Sequence, residues 1–273
     1  MAIVASRTAV PTTALSWPLA RREHAALTVI GFASLLAVWW VVAALELVPS
    51  RFLPRPDEVV VMAATLSRDP FAGHTLLQHL ASSLGRFAWG FGLAAIVGIP
   101  LGLATAWWRT LDDLVAPVFG ALRFVAPLAW VPFAALWFGT GIGGPVLVIF
   151  TGAFPPCVIN AHRGAALVDV RLIEASRTLG AGSVRVLAEV LVPGALPSIV
   201  AGLRISAGLA WQSLVGAELI VAGSGIGYLL VQGQSNLEPR IVMAGMLAIG
   251  VVGLAIDVAL RWTERAVRRR WEG

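Results

Sequence analysis

The chain contains no lysine: all twenty of its lysine-plus-arginine positions are arginine. A Walker-type phosphate loop needs the lysine that reaches the terminal phosphates, and a Schiff-base enzyme needs a lysine amine, so neither chemistry is available. If nucleotide energy drives its work, another polypeptide binds the nucleotide. Charge of either sign is scarce too. Charged residues are 13% of the 273, against about 25% in an ordinary soluble domain, which is too little polar surface to cover a water-soluble globule. One cysteine, Cys157, lies in an apolar run; it permits no internal disulfide and reads as a small buried side chain. No nucleophile elbow, zincin or dinucleotide fingerprint occurs, so no catalytic residue is assigned and the chain is not read as an enzyme. His74 and His79 are five positions apart, off the i,i+4 spacing of a helical metal pair. Solvated or interfacial histidines, and no metal site, are expected there.

What the chain has instead is oil. Hydrophobic residues make up 58% of it, in runs near or beyond the roughly 20 residues that span a bilayer. The fold class is therefore all-α, a polytopic membrane protein with about six transmembrane helices. Residues 1–25 form an N-terminal tail, and span one, about 26–47, has no small-residue cleavage site before it, so it is retained and not removed as a signal peptide. Residues 48–82 read as an extramembrane connection with a surface helix, so that 26–84 is first span plus outer connection. Span two covers about 85–107, span three 115–138, span four 145–161, span five 196–221 and span six 241–260. The helical core is thus 85–262, followed by a basic tail over 263–273.

Arginine counting sets the orientation. With the N-terminus inside, thirteen arginines fall on the cytoplasmic side against four outside, Arg51, Arg55, Arg68 and Arg240. Arg86, Arg123 and Arg204 lie near span ends and are left out of the count. Both termini are placed in the cytoplasm, and so is the polar segment between spans four and five. A net charge of +5 does not point to nucleic acid, because the arginines are scattered between apolar spans and form no single basic face.

That cytoplasmic segment, within residues 163–195, is patterned as two short helices. Asp169 can cap the first, whose apolar positions Leu172, Ala175, Ser176 and Leu179 recur at helical spacing, and Gly180 and Gly182 end it. Ser183 can cap the second, with Arg185 and Glu189 an i,i+4 pair and Val192-Pro193 as its stop. Two readings stand on these residues alone: helices lying in the lipid interface, or a docking knob for a soluble partner.

The spacing adds a resemblance. Glu174-Ala175-Ser176, then Gly180, then Val190-Leu191-Val192-Pro193 resembles the EAA loop of bacterial ATP-binding-cassette importer permeases, whose pattern is Glu-Ala-Ala, three residues, Gly, nine residues, Ile-x-Leu-Pro. Ser176, Val190 and Val192 depart from it conservatively. FLPRPDEV, SSLGRFAWGFGLAAIVGIPLGL, FVAPLAWVPFAALWFGTGIG and PGALPSIVAGLRISAGLAWQSLVGAELI extend the match over about 52–270. Together they are similar to the permeases for nitrate, taurine and aliphatic sulfonates.

The resemblance implies the transport subunit of an ATP-driven importer in a bacterial inner membrane, moving a small organic anion by alternating access. The implied partners are a second copy of the chain, a cytoplasmic ATPase dimer that binds ATP and Mg, an extracytoplasmic binding protein and the bilayer. No cofactor is implied in this chain. Carried over residue by residue, Glu174 makes polar contacts with the ATPase, Ala175 allows close approach and Gly180 turns the corner, with Ser176, Arg177, Arg185 and Pro193 beside them in the coupling loop. In span five, Gly202, Ser206 and Ala210 form a small-residue stripe for helix packing. Arg204, Trp211, Gln212, Ser213 and Glu218 are candidates for the translocation path, with interhelical packing as the alternative for Trp211, Gln212 and Ser213. Arg204 either snorkels to the interface or attracts an anion, Glu218 serves an outer gate or contact, and Asp257 pairs with Arg261. A proton-coupled secondary transporter using Glu46, Glu218 and Asp257 is the competing reading, disfavoured by the absence of an inverted repeat.

Overall fold

A computed structural model describes residues 21–271 apart from Thr140. Residues 1–20 of the expected N-terminal tail and the last two of the C-terminal one lie outside the described residues. Apart from one isolated pairing of Phe71 with His74, the described residues are helices and turns. Eleven α-helices follow in order: α1 Arg21–Ala44, α2 Pro56–Leu66, α3 Leu76–Trp107, α4 Arg109–Leu122, α5 Val131–Phe138, α6 Gly143–Ala166, α7 Val170–Thr178, α8 Ser183–Val186, α9 Val192–Val221, α10 Ile226–Ser235 and α11 Pro239–Trp271. Five stretches are long and apolar enough to cross a membrane, or six if the bent pair formed by α4 with the helical turns 127–138 counts as one.

The chain divides into two units, residues 1–56 and 57–273. In the first, the Trp39 indole donates to the Pro54 carbonyl at 3.1 Å and the Arg55 guanidinium lies 4.9 Å over the Trp40 ring, which folds the turn after α1 back onto that helix. In the second, α6 is central, with α3 and α9 packed on it along their lengths. Glycine makes this possible. A Cβ on Gly90 would stand 2.6 Å from Ile149, one on Gly98 2.9 Å from Cys157, and one on Gly164 2.6 Å from Ser198, so these helices touch backbone to side chain with no room for a methyl group. Phe87, Ala94, Ile149, Ala153, Ala207, Ala210, Trp211 and Leu214 form the middle of the core. Ala161, Ala165, Leu191, Ala195 and Ile199 close it toward the α6–α7 connection.

Three expected helix bounds need correction, and with them the solvated His79. Span two begins at Leu76, not near 85. Thr75 and Gln78 form a reciprocal capping box: the Gln78 carboxamide oxygen accepts from the Thr75 amide at 2.8 Å, while the Thr75 hydroxyl accepts from the Gln78 amide at 3.4 Å, so the helix starts a good two turns earlier. Inside that helix His79 is fully buried and not solvated; one ring nitrogen lies 3.1 Å from the Phe71 carbonyl and the other accepts from the Gly225 amide at 3.1 Å. Span three is broken. Its two helical parts bend by 86° around residues 123–126, because Pro127 has no amide proton to continue the ladder and holds Ala126 extended, at φ −57° and ψ 138°. A 3₁₀ turn over Pro127–Trp130 then leads into α5.

The third correction concerns the helix expected to stop at Val192-Pro193. The chain runs on instead, from α8 through one widened π turn at Leu187–Leu191 into α9, as a single apolar stretch over Ser183–Val221. In that turn the Val192 amide reaches back to the Leu187 carbonyl. The extra residue gives the proline ring space against the carbonyl four positions earlier, which an α turn would not.

Candidate functional site: the α7 loop and the polar clusters of the bundle

Helix α7 is built to hold itself up without a neighbour at its tip. The Asp169 side chain accepts from the Arg171 amide at 2.9 Å, satisfying one of the first-turn donors. At the other end Gly180 takes φ +83°, its amide donates to the Arg177 carbonyl at 2.9 Å, and the Ala181 amide donates to the Ser176 carbonyl at 3.0 Å. This is the paired closure of a helix by a left-handed residue, and glycine adopts it without Cβ strain.

The packed face is not the one the apolar spacing suggested. Ile173 turns inward onto the core around Leu191, Ala195 and Trp107, and Ser176 is half-buried with its hydroxyl on the Ile173 carbonyl at 2.8 Å. Leu172, Glu174, Ala175 and Leu179 face outward, with Leu179 at 89% exposure and Val184 beyond the corner at 80%. Arg177 lies over the Trp107 ring at 5.8 Å and so ties the helix to the end of α3. Arg185 and Glu189 pair at 2.9 Å on the exposed side of the α8 region. Pro193 is half-buried, inside the continuous helix and not at a stop. The loop therefore presents apolar side chains edged by both charge signs, a composition suited to a protein cleft.

The span-five candidates separate cleanly. Trp211 is buried: its indole donates to the Ile249 carbonyl of α11 at 3.2 Å and its ring meets Phe87 edge-on at 5.7 Å. Ser213 is buried and bonded to the Leu209 carbonyl at 2.7 Å. Gly202, Ser206 and Ala210 all face α6, where the Ser206 hydroxyl donates to the Ala153 carbonyl at 2.6 Å. Gln212 alone of the trio is exposed, on the same side as Ile205, Gly208 and Leu209. Arg204, expected to snorkel or meet an anion, is instead held at 2.7 Å by Asp257 and at 3.5 Å by Glu264, while Asp257 also takes Arg261 at 2.6 Å.

Glu218, expected at an outer gate, is 1% exposed and lies inside a polar cluster that sequence reasoning did not find. Arg86 donates to it at 2.7 Å, the Gly227 amide at 3.0 Å, and the Ser83 hydroxyl approaches both its oxygens at 2.8 and 2.9 Å. Arg86 also donates to the Ser224 carbonyl and hydroxyl at 2.7 Å each, and Ser83 accepts from the Ile226 amide at 2.9 Å. The carboxylate thus nails the α9–α10 turn to α3. Ser83 and Arg86 lie one turn apart on α3 but 135 and 132 positions from Glu218, and only the serine-rich SSLGR and GSG segments hinted at the cluster.

Taken together, the geometry defines a polytopic helical membrane protein whose small, self-capped helix is offered outward at one end of a glycine-packed bundle. Residues 98–272 match the family of binding-protein-dependent transport system inner membrane components. The chain is 37% identical over 258 residues to the taurine transport system permease protein of Escherichia coli, covering 94% of this chain and 93% of that one. It is 34% identical over 244 residues to a protein of Bacillus subtilis named for aliphatic sulfonates transport, covering 88% and 87%, and 37% identical over 196 residues to the bicarbonate transport system permease protein of Synechococcus elongatus, covering 71% and 70%. A solved chain of the MetNI methionine ABC transporter, in an inward-facing conformation, shares the fold at a TM-score of 0.62 and 20% identity, over 70% of this chain and 95% of that one. The chain belongs to the family of binding-protein-dependent ABC transporter permeases and is a multi-pass protein of the inner membrane.

Proposed function

We propose that two copies of this chain form the path of an ATP-driven importer for a small anion, taurine or an alkanesulfonate first, with nitrate or bicarbonate as further candidates. A soluble ATPase dimer binds ATP and Mg at the cytoplasmic face, and a binding protein delivers the anion from outside. The two termini and the α7 loop lie in the cytoplasm in this reading, as the arginine bias implies.

One observation carries the coupling role: Leu172, Ala175 and Leu179 are exposed on a helix that Asp169 and Gly180 close at both ends. Such apolar groups gain by entering a cleft of the ATPase, with Glu174 making polar contacts at the rim, and closure of the ATPase dimer then moves α9 through the unbroken chain from Ser183 to Val221. The names of the relatives support the substrate class. The rival proton-coupled mechanism needs free intramembrane carboxylates, whereas Glu218 and Asp257 are both engaged by arginines.

The test is uptake by membrane vesicles carrying the full complex. Uptake of taurine, ethanesulfonate, nitrate or bicarbonate should require ATP and persist when the proton gradient is collapsed. Uptake that survives ATP depletion and ends with the proton gradient refutes the proposal. Melting of the co-encoded binding protein with each anion identifies which one is carried.

A further inference from the structure

The break in the third span lies at mid-height of the bundle. The Phe119 ring of α4 meets Phe154 at 6.1 Å, and Pro127 sits against Gly152, whose absent Cβ would stand 3.3 Å from the proline ring. Residues 152 and 154 are in the middle of α6, which runs Gly143–Ala166 as a full span. Arg123, between these two contacts, closes α4 at its C-terminal end. The Arg123 backbone therefore stands level with the middle of α6, and its side chain lines a space shared with the ends of α3 and α6 near Thr105, His162 and Arg163. An uncompensated charge within a span is costly and is kept only facing protein or water.

Two arginines inside the bundle are paired with carboxylates, Arg86 with Glu218, and Arg204 with Asp257 and Glu264; Arg163 lies in the last turn of α6. Among the described residues Arg123 has no carboxylate partner. Its guanidinium lies 4.9 Å over the Phe124 ring, and the side chain is exposed. It lines a cavity of about 280 Å³ together with Arg163, His162 and Thr105. The cavity's single carboxylate, Asp112, lies 3.9 Å from His162. The volume falls just under the roughly 300–1,000 Å³ of drug-sized sites, so a small ion is the better fit. Around Arg123 the backbone leaves the helix, and irregular backbone at membrane depth is tolerated against protein or a water-filled path, not against lipid.

We propose that Arg123, held at the break between α4 and the Pro127 turn, is an intramembrane contact for the transported anion. This inference rests on the importer reading above and adds to it the residue that meets the anion within the membrane. The guanidinium offers paired donors to a sulfonate or similar oxoanion, and the Phe124 ring beside it keeps the head group oriented.

The experiment uses the complete transporter in proteoliposomes, with radiolabelled taurine as probe, in a Cys157→Ala background. Arg123→Cys is expected to lose at least tenfold in uptake while assembling with its ATPase in normal yield. In the intact complex it should react with water-soluble methanethiosulfonates. The aminoethyl reagent, which restores a cation, should recover uptake, and the sulfonatoethyl reagent should not. An R123C thiol that stays unlabelled in the intact complex places the side chain in lipid or in an ion pair with the second copy, and overturns the inference; so does wild-type uptake by the unmodified variant. If R123C does not assemble, Arg123→Lys and Arg123→Gln decide in the same assay: lysine retaining uptake and glutamine losing it supports the inference, and equal activity of the two overturns it. Wild-type transport restricted to uncharged solutes overturns the functional reading and this inference together. Wild-type taurine uptake with an unlabelled R123C overturns this inference alone.

Discussion

Glu218→Gln is the sharpest probe of the buried cluster, because the amide keeps the shape of the side chain and removes its charge. Every group around that carboxylate is a donor or can act as one: Arg86 at 2.7 Å, the Gly227 amide at 3.0 Å and the Ser83 hydroxyl at 2.8 and 2.9 Å. Glutamine would turn an NH₂ toward at least one of these donors and leave Arg86, whose side chain is 7% exposed, without a counter-charge. Breaking a buried pair on one side costs about 3–5 kcal/mol. At roughly 2–4 °C per kcal/mol for a chain of this size, the variant should melt about 6–20 °C lower in detergent. Intrinsic tryptophan fluorescence follows the transition. Arg86→Met should cost a similar amount, and the double variant should cost clearly less than the two together, since neither charge is then stranded. A double variant at least as destabilised as the sum, or an E218Q protein melting within about 2 °C of wild type, would refute the claim that this ion pair fixes the α9–α10 turn to α3.

Three further outcomes follow from the same geometry. Leu179→Asp and Leu172→Asp, both at exposed positions, should change the melting temperature by no more than about 0.5 kcal/mol equivalent yet abolish co-purification of the ATPase; an equal loss of stability would mean the α7 face is packed, not presented. Gly180→Val meets open space but must hold φ +83°, at a cost of about 1–2 kcal/mol that Gly180→Asn largely avoids, so ATP-driven uptake should fall in the order Gly, Asn, Val. Gly164→Leu would force a Cβ to 2.6 Å from Ser198 and should prevent accumulation in the membrane, whereas Gly92→Ala, with nothing nearby, should be neutral or gain up to about 1 kcal/mol from helix propensity. Immunoblots of membrane fractions distinguish the two.

Five continuous spans and the presence of an outward helix between the fourth and fifth expected spans were legible because both rest on local pattern: apolar runs of bilayer length, and Asp169 and Gly180 at the two ends of α7. The face of α7 was not. Leu172 and Leu179 look like core on a helical wheel, and only the tertiary fold reveals that Ile173 is the residue that docks. The break at residues 123–126 did have a signal, the Ala126-Pro127 step, which hydropathy averages away. Pro193 misled in the opposite sense, since a proline reads as a stop and the π turn that absorbs it has no distinct sequence mark. The Arg86–Glu218 pair joins positions 132 residues apart, a separation at which pattern says nothing without knowing which helices are neighbours.

The unbroken passage from α8 into α9 has a mechanical meaning. Its 39 residues make a rod of about 58 Å at 1.5 Å per residue, with the α7 corner at one end and the Glu218 cluster close to the other. A rigid rod of that length tilting by about 10° about its middle displaces each tip by about 5 Å, comparable to one helical turn. The π turn at Leu187–Leu191 and Pro197 both lie near its foot, so that it behaves as a stiff lever with a short flexible ankle, and whatever is fastened by Glu218 must travel with it.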